Sequence, residues 1–177
     1  MPPIPRPRIM LRYAGLFDFD ALYTAVIDWA KMYNYQWFEL DYKHKVPTPY
    51  GAEQQWKWLI EKNVTEYINY KINLTVHIWD MQEVVVEIDG KKKSLTKGRI
   101  NIWMDGTMEY DWQRRFKGSA FAAKLGDWYR NIVYKKDTES LYFDQLYYRM
   151  WNLHNVMKKI LEMQTSKYAY KDYLKEA

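Results

Sequence analysis

From Trp56 to Ile78 nearly every even-numbered position is apolar or aromatic (Trp56, Trp58, Ile60, Val64, Ile68, Tyr70, Ile72, Leu74, Val76, Ile78), and only Lys62 and Glu66 interrupt the series. A period of two is that of a β-strand, so this row faces a core while the odd row, with Tyr67, Asn69, Lys71, Asn73, Thr75, His77 and Trp79, faces water or a partner. A strand over 55–80 exceeds the usual length of about 3 to 10 residues, which predicts a bend or bulge near Glu61 to Asn63. Residues 53–62 also fit a short helix, but their parity matches that of residues 64–78 and favours strand.

Upstream, Leu22, Val26, Trp29 and Tyr33 recur at helical spacing, and Asp18 or Asp20 can cap a helix that runs to about Tyr33. A strand is predicted over about 36–46 with Phe38, Leu40, Tyr42 and Val46 on one face, ended by Pro47 and Pro49. Two hairpins come next. A two-residue turn at Asp89-Gly90 pairs Ile88 with Lys91, Val86 with Lys93 and Val84 with Leu95. A three-residue loop, Asp105-Gly106-Thr107, pairs Met104 with Met108 and Ile102 with Tyr110, and keeps apolar residues together.

Beyond Arg115 the period becomes helical. Phe121, Leu125, Trp128 and Ile132 form one stripe starting near Gly118-Ser119. Phe143, Leu146, Met150, Leu153, Met157 and Ile160 or Leu161 form a second, on a helix starting near Asp137-Thr138. The implied fold class is α+β: five or six mainly antiparallel strands, with an N-terminal helix and two C-terminal helices packed on one face. The expected organisation is an extended Pro/Arg arm over 1–12, a single domain over 13–164 and a Tyr/Lys-rich tail over 165–177.

Composition narrows the chemistry. The 177 residues include no cysteine, which excludes disulfides, thiolate metal sites and cysteine nucleophiles. The three histidines, His44, His77 and His154, have no metal-ligand spacing, and the seven glycines form no phosphate-binding loop, so neither metal nor cofactor is expected. No apolar run approaches the roughly 18 residues of a membrane span, and the N-terminus has no apolar signal core. The expectation is a soluble, intracellular protein or part of an assembled particle. The net charge of +5 is mild, but 17 tyrosines and nine tryptophans supply many side chains that can sit half buried at an interface.

Charge and aromatics point to candidate contacts. Lys91, Lys92 and Lys93 at a hairpin tip, with Arg99, Arg114 and Arg115, could meet phosphates, and Tyr67, Trp79 and Trp37 on the odd face could stack on bases. The plainer reading is preferred for the lysines, namely that charge keeps an exposed hairpin from adding to another sheet. The pairs Glu39 with Asp41 and Glu109 with Asp111 share a strand face at i, i+2 spacing, a common solvated arrangement with no sign of the burial that acid-base catalysis needs. His154 reads as a structural histidine. Arg6 and Arg8 in the N-terminal arm, and Tyr168, Tyr170 and Tyr173 in the tail, are candidate assembly contacts.

The expected function is therefore a non-enzymatic structural protein that self-associates, such as a subunit of a viral, filamentous or tubular particle. The alternative is a module that binds RNA or single strands through a basic, aromatic sheet face and the lysine hairpin.

Overall fold

The computed structural model describes residues 4–5, 7–88, 90–115, 120–128 and 141–163. Six antiparallel strands form one sheet: β1 (Ile4–Pro5), β2 (Ile9–Phe17), β3 (Gln36–Thr48), β4 (Gly51–Asn63), β5 (Ile68–Ile88) and β6 (Lys91–Tyr110). Their order is β1-β6-β5-β4-β3, with β2 also paired to β6 beside β1. Three helices, α1 (Phe19–Met32), α2 (Ala120–Trp128) and α3 (Phe143–Ile160), complete the described chain.

The even-numbered row is the core, as its period requires. Trp58, Ile60, Ile68, Tyr70, Ile72, Leu74, Val76 and Ile78 are all buried, and Ile100, Ile102, Met104 and Met108 of β6 continue the same layer. Helices α1 and α3 cover this layer through Leu22, Val26 and Trp29 and through Leu146, Met150, Leu153 and Met157, the stripes their spacing implies. Asp18 starts α1, its carboxylate accepting the Ala21 N–H at 2.9 Å, and Lys93 reaches the other carboxylate oxygen at 2.8 Å. Tyr70 donates its hydroxyl to the Tyr142 carbonyl at 2.6 Å and so fastens the start of α3 to the sheet.

The long alternating run is two strands and not one bent strand. The chain reverses over 64–67, and Asn63 lies opposite Asn69. The reversal has none of the glycine or proline that usually marks a turn. Thr65 organises it instead: its hydroxyl oxygen accepts the Ile68 and Tyr67 N–H groups, and the Val64 and Thr65 N–H groups both donate to the Ile68 carbonyl. A reversal that preserves parity leaves an even row on both arms, which is why the pattern reads as continuous.

The second hairpin is also corrected. No loop interrupts 105–107; β6 runs straight through, with Gly106 opposite Ile72 and Asp105 opposite Asn73. The Asp-Gly pair is a mid-strand position, and Asp105 holds Arg8 with bonds of 2.7 and 2.9 Å from its guanidinium. The register at the Asp89-Gly90 tip agrees with the expectation: Ile88 faces Lys91, Val86 faces Lys93 and Val84 faces Leu95.

The N-terminal arm is not free over its second half. Ile9–Phe17 pairs with β6, and Ile9 and Leu11 are buried in the core. Helix α2 carries the first three residues of its predicted stripe, and Phe121, Leu125 and Trp128 are 77%, 44% and 52% exposed. Ile132, the predicted start of the last helix at Asp137-Thr138, Arg6 and the tail tyrosines Tyr168, Tyr170 and Tyr173 lie outside the described residues.

Candidate interaction surface

The face of the sheet opposite α1 and α3 carries the odd-numbered rows of β4, β5 and β6. At its centre His77 stacks on Trp79, with ring centroids 3.8 Å apart, and Trp103 stands edge-on to Trp79 at 6.5 Å. His77 also contacts Glu53 at 2.7 Å, and the same Glu53 oxygen takes Lys45 at 2.7 Å. The hydrogen bond from Lys45, followed by that from His77, holds the Glu53 carboxyl below its ordinary range.

Charge on this face is laid out in opposite-sign pairs. Lys71 meets Glu109 at 2.6 Å, Arg8 meets Asp105, and Asp41 lies 3.5 Å from Lys57 and 3.8 Å from Lys43. Such pairs on a solvated face contribute little stability each, but they cancel the field that would otherwise draw in an anion.

The residues expected to contact nucleic acid do not come together. Lys92 is exposed at the hairpin tip, whereas Lys93 is held by Asp18. Lys91 continues β6 opposite Ile88. Arg99 lies mid-strand, bound to Asp80 at 2.7 Å. Arg114 and Arg115 come after the far end of β6, where Arg115 pairs with Glu66 at 2.9 Å. The 20 residues of β6 separate the two ends by roughly 60 Å at about 3.3 Å per residue.

The aromatic candidates also divide. Trp79 lies on the open face as expected. Tyr67 does not: it belongs to the turn over 64–67, outside the alternation of the two strands, and is buried with its ring 5.8 Å from that of Tyr110. Trp37 stands opposite Ile60 on the helix side, edge-on to Tyr23 at 5.5 Å, with its indole N–H buried and unpaired. Trp103 takes their place on the open face. Its odd position points there, but a loop at 105–107 would hide the continuity of β6.

The carboxylate pairs are separated by backbone geometry. A bulge at Leu40 places Glu39 beside Trp58 on the helix side, 3.3 Å from its indole nitrogen, and Asp41 beside Lys57 on the open side. Glu109 points to Lys71, whereas Asp111 is a buried turn residue whose carboxylate accepts the Arg115 N–H at 2.7 Å. Among the described residues no three His, Asp or Glu side chains cluster as metal ligands would. His154 has a buried Nδ1 without a partner, and burial, with Lys158 adding to it, lowers its pKa.

The bulge at Leu40 also decides how β3 meets solvent. Among the described residues β3 ends the sheet, bonded to β4 alone, and Phe38, Leu40 and Tyr42 are 42%, 58% and 49% exposed. The sequence pattern places these three on one face; the bulge turns Phe38 to the open side, opposite Leu59, and Tyr42 to the helix side, opposite Trp56. Large apolar groups thus flank, on both sides, an edge to which no other described strand bonds. Among the described residues no helix is long and apolar enough to cross a membrane. No protein-family model matches the chain, and no curated protein matches its sequence.

Proposed function

We propose that this protein is a structural or assembly protein that associates with copies of itself. The observation that carries the reading is the edge strand β3. It has 13 residues, one unpaired side among the described residues, and three large apolar side chains open to water. A long edge of this kind is a template for another strand, and exposed aromatics beside it add buried area when one arrives. The exposed stripe of α2 points the same way. The N-terminal arm lends less support than its composition implies, because Ile9–Phe17 is taken up by the chain's own sheet.

Size-exclusion chromatography with light scattering checks this reading. The expected outcome is a mass above 21.7 kDa that rises with concentration. One monomeric mass across concentration and salt would contradict it.

Nucleic-acid binding is the second reading, and the stack of His77 on Trp79 beside Trp103 favours it. The pairing of Lys93, Arg99 and Arg115 with acids weighs against it. Affinity for mixed single strands that drops steeply with salt would support this reading.

A further inference from the structure

The edge strand β3 reads Phe38-Glu39-Leu40-Asp41-Tyr42-Lys43-His44-Lys45, acids before Tyr42 and bases after it. On an edge protected by charge one sign dominates, so that two copies repel. Here both signs are present, in mirrored order. From this pattern we infer that β3 pairs antiparallel with β3 of a second copy across a two-fold axis at Tyr42, joining two sheets into one. The inference rests on the self-association reading above and specifies its partner and register.

Face and charge together set the register. Paired residues in a continuous sheet share a face, so any two-fold must match residues of like orientation. Asp41, Lys43 and Lys45 lie opposite Lys57, Gln55 and Glu53 and share the open face, while Tyr42 and His44 lie opposite Trp56 and Gln54 on the other. An axis at Tyr42 sets Asp41 against Lys43 of the second copy, and Lys43 against its Asp41. Two unlike pairs result and no like pair. An axis at Asp41 or Lys43 sets that residue against itself, and an axis at His44 sets Lys43 against Lys45.

The bulge extends the match. It leaves Leu40 as the extra residue, so that the register beyond it shifts by one. Glu39 then faces His44 of the second copy on the helix side, and Phe38 faces the stem of Lys45 on the open side. Tyr42, 49% exposed, meets its own counterpart at the axis. Asp41 and Lys43 are 37% and 62% exposed, so both remain accessible despite their contact within one chain. A two-fold contact between like surfaces closes on itself, so this edge yields a dimer, and any longer assembly uses a second surface.

Charge exchange tests the register. Asp41→Lys sets lysine against Lys43 of the second copy, and Lys43→Asp sets aspartate against its Asp41. Each single variant should weaken the dimer at least about tenfold by sedimentation equilibrium. The double variant Asp41→Lys/Lys43→Asp restores unlike pairs and should recover it. Mixing the two single variants should yield a heterodimer, since every contact is then between opposite charges. A thermal melt of each variant separates loss of association from loss of fold, and the mixture rescues two chains that are each folded but weakly paired. Self-association unchanged in both single variants, or no recovery in the mixture and the double variant, overturns the β3 interface and leaves self-association standing. A monomeric unsubstituted chain overturns both.

Discussion

Asp18 joins two unrelated tasks in one carboxylate. One oxygen caps α1 and the other meets Lys93, from the hairpin tip. Asparagine can keep the cap but not the charge, so Asp18→Asn should cost less than Asp18→Ala, which loses about 1 kcal/mol for the cap alone. Urea denaturation midpoints read the difference. The bond from Lys93, then that from Ala21, lowers the Asp18 pKa below its ordinary 3.8. The unfolded chain therefore takes up this proton first on acidification. The stabilisation is complete above about pH 4 and is lost as pH falls through the depressed folded value. Melting temperatures measured from pH 5 to pH 2 should fall less steeply in Asp18→Asn. Tyr70 offers a second single-atom test. Tyr70→Phe keeps the buried ring but leaves the Tyr142 carbonyl without its donor, and should cost about 1 kcal/mol with faster amide exchange in the first turn of α3.

At the scale of elements, the bulges and the parity-keeping turn shape the sheet more than the long runs do. Between Trp79 and Gln82 β5 takes an extra residue, and Asp80 adopts a left-handed φ of 55°. Gly51 lies against this bulge with φ 130°, and a Cβ there would come within 2.5 Å of the Asp80 carbonyl carbon. Gly90 is also left-handed, at 72°, but faces open space. Gly90→Ala should therefore cost about 1 to 2 kcal/mol from backbone strain alone, and Gly51→Ala clearly more. Equal costs in thermal melts would contradict the close contact. These irregular points also explain what the sequence could and could not convey. The even row of β4 to β6, the stripes of α1 and α3, the Asp18 cap and the Asp89-Gly90 register are local patterns with one physical solution each. The reversal over 64–67 is not, because Thr65 hydroxyl bonds replace the glycine that marks most turns. Asp105-Gly106 carries a hairpin signal that the continuous pairing of Ile68–Trp79 with Arg99–Tyr110 overrides. The Leu40 bulge depends on how β3 meets β4, and it alone sends Glu39 and Asp41 to opposite faces. Tyr67 and Trp37 depart from their expected face for the same reason: parity counts hold only between irregularities.

For the whole molecule, the net charge of +5 is mild, and several of the described basic side chains lie against acids. Lys93, Arg99 and Arg115 each have an acid, and both ends of β6 are too far apart for one short oligonucleotide to engage together. Three large apolar side chains are exposed along β3, an edge of the sheet, and three more on α2. Among the described residues the sheet ends in β2 and β1 at one margin and in β3 at the other, and β3, with 13 residues against nine in β2, is the longer edge. Sedimentation velocity of the unsubstituted protein over a hundredfold range of concentration tests that account most directly. It predicts a reversible shift from a species near 21.7 kDa to one of twice that mass. A single monomeric boundary throughout the range, at low and at high salt, would contradict it.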